Sequence, residues 1–119
     1  MIKLVRLDYR LLHGQVVFSW TGHVGAQRII VVDDDAANDE MKKSALLLSK
    51  PAGVRVNIFT VDKAIAKMPK VEQLDEKIMM IFGNTAALLK FCQAYPKIKE
   101  INYGAVANKP GSVAFDQSV

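Results

Sequence analysis

Between Arg6 and Trp20 the sequence RLDYRLLHGQVVFSW places two arginines, an aspartate and a histidine ahead of a glycine. These residue types, at this spacing, suit capture of a phosphoryl group on His13. A neutral imidazole is a good nucleophile, and its pKa of about 6.5 leaves most of it unprotonated at neutral pH. Arg10 stays charged and offers a planar fork that matches phosphate oxygens. If Gly14, Gln15 and Val16 open a helix, their amides point unpaired toward the same spot, and Gly14 lets the main chain approach without a Cβ. Asp8 could hold one imidazole nitrogen, fixing the tautomer and leaving the other nitrogen free to react.

The same residues admit a plainer reading. A histidine near a helix start is commonly a surface or capping residue, and Arg-x-x-His alone has no specificity. His23 stands ten residues further on without a Cys or a suitably spaced carboxylate, which argues against zinc. It reads as a helix-end residue. Asp33, Asp34 and Asp35 could attract a magnesium ion, but acids between a strand and a helix more often cap and turn the chain. Cys92 reads as core rather than as a reactive thiol, and Trp20 as helix-face packing. No GxGxxG, GxxxxGK[ST] or nucleophile-elbow motif is present. What remains is histidine chemistry, or binding without chemistry.

The elements that must position these residues alternate between short β-branched runs and helical periodicity. That is the pattern of a βαβ architecture with a buried, mainly parallel sheet. Strands are predicted at 2–7, 28–34, 54–60, 77–83 and 98–104. Helices are predicted at 16–24, 38–50, 61–68 and 84–95, with caps at Asn38 or Asp39, at Thr60, and at Asn84 or Thr85. Pro51 and Gly53 end the second helix. Beyond Gly104 the pattern fades, with a turn at Pro110-Gly111. The expectation is an open, doubly wound α/β sheet with helices on both faces. Sites in such sheets lie at the carboxyl ends of the strands, which gathers Asp8, Arg10, His13, Asp33–Asp35, Thr60, Asp62, Gly83 and Asn84.

Composition bounds the rest. The chain has 119 residues, enough for one domain. No apolar run approaches the roughly 18 residues of a membrane span, and the start lacks a signal-peptide pattern, so a cytosolic protein is expected. The net charge of +4 comes from scattered residues, with one adjacent pair, Lys42-Lys43, and no nucleic-acid motif. A solvated basic surface is the favoured reading, and a patch for one acidic protein partner is the other.

The segments RLDYRLLHGQV, RIIVVDDDAANDEMKK, PAGVRVNIFTVDKAI and INYGAVANKPG together resemble the IIB component of the mannose, fructose and sorbose family of the bacterial phosphoenolpyruvate-dependent sugar phosphotransferase system. The resemblance implies that His13 is the phosphorylated histidine and Arg10 the arginine beside it. It implies a phosphoryl group taken from a IIA component and given to a sugar entering through the membrane components IIC and IID. No metal, nucleotide or other cofactor is implied, and the protein would associate peripherally with the transporter. On this reading Asp8 orients, Arg10, Gly14 and Gln15 bind phosphate, and Asp34 and Asn38 shape the rim. The alternative is a non-catalytic binding or regulatory module of the same fold. Two departures stand out. Tyr9 replaces a usual acid, and family domains continue past the point matching Val119 with at least one more strand and helix, so a shortened form is expected.

Overall fold

The first four strands are rich in β-branched or long apolar residues and each is followed by a cap or turn residue; with a short fifth strand they assemble a three-layer α/β fold. The computed structural model describes residues 1–12, 14–98 and 100–103, and their side chains outside 14–18. The order is β1 (Ile2–Leu7), α1 (Gly14–Val24), β2 (Arg28–Val32), α2 (Asp34–Ala37), α3 (Glu40–Leu48), β3 (Arg55–Phe59), α4 (Val61–Val71), β4 (Ile78–Phe82), α5 (Thr85–Ala94) and β5 (Asn102–Tyr103). The strands lie in the order β3-β2-β4-β1-β5, and every neighbouring pair is parallel.

Strand β4 runs through the middle, and all five of its residues, IMMIF, are buried. Its alternation splits the interior into two cores. Ile78, Met80 and Phe82 join Val5, Leu7, Ile30 and Val32 beneath α4 and α5. Met79 and Ile81 join Ile29 and Val31 on the other face, where Trp20 and Val24 of α1 and Leu46 of α3 pack. Phe82 has no exposed surface and stacks at 5.1 Å on Phe91 of α5, so Phe82→Ala would cost about 3–5 kcal/mol.

Several boundaries depart from the sequence expectation. β2 stops at Val32 because Asp33 turns extended and caps α2, accepting the Ala36 amide. The helix expected over 38–50 is two helices: Asn38 is the C-cap of α2, and Asp39 caps α3 by accepting the Met41 and Lys42 amides. α1 opens at Gly14, two residues before the expected start. α4 runs through Pro69 to Val71, because Met68 and Val71 are both buried in the first core and anchor that last turn. β5 pairs only through Asn102 and Tyr103, with Ile98 and Ile101 packed against the first core from outside the strand. His13 and the Pro110-Gly111 turn lie outside the described residues.

Adjacent strands β1 and β4 send their helices to opposite faces, α1 to one and α5 to the other. Open α/β sheets place their sites at such a reversal, at the carboxyl ends of the strands, and here Asp8 and Arg10 follow β1 and Gly83 follows β4.

Candidate functional site

The loop after β1 is built around Asp8. Its amide donates to the Phe82 carbonyl at 2.9 Å, carrying the ladder one residue past Leu7. Its carbonyl accepts the Leu11 amide at 3.0 Å, and its Oδ1 accepts the Arg10 amide at 3.0 Å. Backbone and side chain of one residue thus hold the turn from both sides. Leu11 sits in the left-handed region at φ 57°, which a side chain with a Cβ adopts at a cost of about 1–2 kcal/mol. Leu12, buried in the second core, and Leu11, packed against that core, hold the strained turn in place.

Asp8 is 1% exposed and pairs with two arginines. Arg10 donates from Nε to Oδ1 at 3.0 Å and from Nη2 to Oδ2 at 2.9 Å, a bidentate fork. Arg6 Nη2 donates to the same Oδ2 at 3.3 Å. With the Arg10 amide, these donors match the roughly four lone-pair sites of a carboxylate. Burial pushes the Asp8 carboxyl pKa up. Hydrogen bonds from the Arg10 side chain and amide, with the charges of Arg10 and Arg6, more than offset this and hold it below its ordinary value. Asp8 in turn raises the pKa of Arg10 through the same hydrogen bond. Asp8 pairs with the two guanidinium groups, and the imidazole contact expected of it from the sequence involves His13, outside the described residues.

The second half of the cluster was not legible as a site. Arg6 lies inside β1 with its side chain only 9% exposed. Its Nη1 donates to the Asn102 side chain on β5, and its guanidinium carbon stands 5.3 Å from the Trp20 ring centroid on α1. The signal in the sequence was an arginine inside an apolar strand, IKLVRL, two residues before an acid.

Gly83 ties three loops together. A Cβ there would overlap the Asp33 carboxylate and come within 3.1 Å of Leu11 Cδ2, so the ends of β1, β2 and β4 meet only because this residue has no side chain. The three consecutive acids act separately. Asp33 caps α2, Asp34 Oδ1 accepts the Val61 amide at 2.8 Å, and Asp35 pairs with Lys42. Among the described residues no group of three or more His, Cys, Asp or Glu could hold a metal ion.

Asp34 lines an open cleft of about 480 Å³ with Asp33, Asp35, Asn84 and Lys90, whereas Asn38 is not among its lining residues. Gly14 and Gln15 form the first turn of α1, where helical amides have no acceptor within the helix. His23, in the last turn of α1, is exposed and meets Trp20 edge-on at 5.7 Å. Tyr9 is 53% exposed. Burial raises the Cys92 thiol pKa, away from reactive thiolate.

Residues 2–119 match the PTS system sorbose subfamily IIB component. The chain belongs to that family. It is 35% identical over 118 residues to the sorbose-specific EIIB component of Klebsiella pneumoniae, covering 99% of this chain and 72% of that one. The mannose-specific EIIAB component of Escherichia coli K12 is 33% identical over 119 residues, covering all of this chain and 37% of that one. The solved IIBSor domain of the Klebsiella pneumoniae sorbose permease superposes with a TM-score of 0.87 at 34% identity, over 100% of this chain and 73% of that one. IIB components of this family are phosphotransferases of sugar uptake systems. The reading as a non-catalytic module is not favoured by these relatives. No helix among the described residues is long and apolar enough to cross a membrane.

Proposed function

We propose that His13 is the phosphoryl carrier of this IIB component, accepting the group from a IIA partner and passing it to a sugar entering through IIC and IID. The observation that carries this is the Arg10 fork, fixed on a buried Asp8 at the carboxyl end of β1, three residues before His13 and four before α1 opens. The fork uses Nε and Nη2, so the Nη1 edge of Arg10 takes no part in the pairing.

In the reaction, the lone pair of the neutral His13 ring attacks phosphorus as the N–P bond of the donor histidine breaks. The donor ring keeps the proton on its second nitrogen and leaves as neutral imidazole, and His13 keeps the proton on its own second nitrogen. One N–P bond replaces another. The acceleration needed is therefore electrostatic: Arg10 and the first-turn amides of Gly14 and Gln15 balance the charge on the transferring oxygens without competing as nucleophiles. Asp8 acts on Arg10, fixing its plane. Asp34 contributes to the rim, at the cleft beside α5. The domain works on the cytoplasmic side, docked on its membrane components.

Incubation with a phosphorylated IIA protein, followed by intact-mass measurement and an acid challenge, tests this. One acid-labile phosphoryl group is expected on the parent and on His23→Ala, and none on His13→Ala. Equal labelling of His13→Ala would place the carrier elsewhere.

A further inference from the structure

We infer that Arg6 is a positioning residue for phosphoryl transfer, supplying from inside the sheet the positive charge that Asp8 would otherwise cancel at Arg10. The inference rests on the phosphocarrier reading above.

A guanidinium in the middle of an apolar strand calls for a reason. Its Nε is buried without a hydrogen-bond partner, a loss that an apolar residue at this position would avoid. Stability alone would favour such a residue, as replacement of buried ion pairs by packed apolar groups commonly shows.

The charge count supplies the reason. Arg10 needs a rigid partner to hold its fork, and Asp8 is that partner. A carboxylate bound bidentately to an arginine makes a neutral pair, which is well oriented but attracts an anion weakly. Adding Arg6 leaves the cluster of two guanidinium groups and one carboxylate with one net positive charge. Asp8 can then orient Arg10 without erasing the charge a phosphoryl group must meet. The position of Arg6 is itself fixed by three independent elements: the Asn102 side chain on β5, the Trp20 ring on α1 and Asp8 on the loop.

The test compares the parent, Arg6→Gln, Arg6→Lys, Asp8→Asn and the double variant Arg6→Gln/Asp8→Asn. Maximal rates of phosphoryl uptake and half-saturating concentrations of phosphorylated IIA protein are measured for each. Circular dichroism checks folding, and carbon NMR follows the Asp8 carboxyl titration. Arg6→Gln should lower the maximal rate about tenfold or more with little change in half-saturation, and should raise the Asp8 pKa. The double variant, whose cluster again carries +1 but whose Arg10 has lost its bidentate partner, should lose less rate than the product of the two single losses.

A parental rate in Arg6→Gln, or a double variant slower than the parent by the full product of the two single losses, would overturn the inference while leaving the His13 reading intact. If Arg6→Gln does not fold, Arg6→Lys decides: it keeps the charge and should stay within a few-fold of the parent, whereas a loss as large as that of Arg10→Ala would overturn the role. If the parent takes no label on His13, the carrier reading falls and the role of Arg6 falls with it.

Discussion

The Arg10 guanidinium lies edge-on to the Asp8 carboxylate, with Nε 3.0 Å from Oδ1 and Nη2 2.9 Å from Oδ2. Two residues apart in sequence, they form parallel hydrogen bonds that remove most of the rotamer freedom of a long side chain before any anion arrives.

Loss of the fork should appear in transfer and, because it takes the main partner from a buried carboxylate, in stability as well. Arg10→Ala is expected to slow phosphoryl uptake roughly 100-fold, and Arg10→Lys to fall between the two, because an ammonium keeps the charge but cannot make the planar pair. Initial rates with a phosphorylated IIA donor check this.

The buried carboxylate predicts an acid dependence. The Asp8 pKa in the folded chain lies below the ordinary 3.8, so its contribution to stability is complete above that value and is lost as pH falls through the lower folded pKa. Urea midpoints measured downward from pH 5 should fall less steeply in Asp8→Asn than in the parent. Asp8→Ala, which leaves the Arg6 guanidinium buried without a carboxylate, should cost about 3–5 kcal/mol near neutral pH.

Gly83→Ala should destabilise by about 1–3 kcal/mol, because the new methyl overlaps the Asp33 carboxylate. Asp33→Ala alone loses the α2 cap and should cost about 1 kcal/mol. Combined, the two should cost less than their sum, since removing the carboxylate removes the overlap. Thermal melts of the three variants form the cycle.

Tyr95 should ionise late. Burial, helped by its hydrogen bond to Glu72 at 2.8 Å, pushes its phenol up to about 12. Because that pKa is raised, the associated stability is present below about 10 and is lost as pH rises toward 12. An absorbance titration of tyrosinate should show a late step that is missing in Tyr95→Phe. A single step near 10 in the parent would contradict it.

The sheet could be read from the chain because its central strands β2 and β4 are apolar on both faces and its turns carry strong local signals. The IMMIF run of β4 and the caps Thr60 and Asn84 are examples. The division between α2 and α3 was harder, because Asn38 and Asp39 are both cap-forming residues and only the fold decides that one ends a helix and the next begins another. At the site, Arg10 announced itself by type. The partner of Asp8 did not, because it depends on a turn that folds Arg10 back over two residues. Arg6 was hidden by its strand, where an arginine is ordinarily a solvated edge residue. Its anchor Asn102 lies 96 positions away, a separation that no local pattern reports.

The helix starts at the carboxyl edge of the sheet are not equivalent docking points for an anion. Those of α2, α4 and α5 already hold oxygen from the chain itself, through Asp33, Thr60 and Asn84, with Asp34 adding a carboxylate at α4. A phosphate drifting along that rim meets occupied amides and negative charge until it reaches the end of β1. The rim therefore steers by occupancy: helix starts that already hold the chain's own oxygens turn an anion away and leave the end of β1, with Arg10, as its landing place.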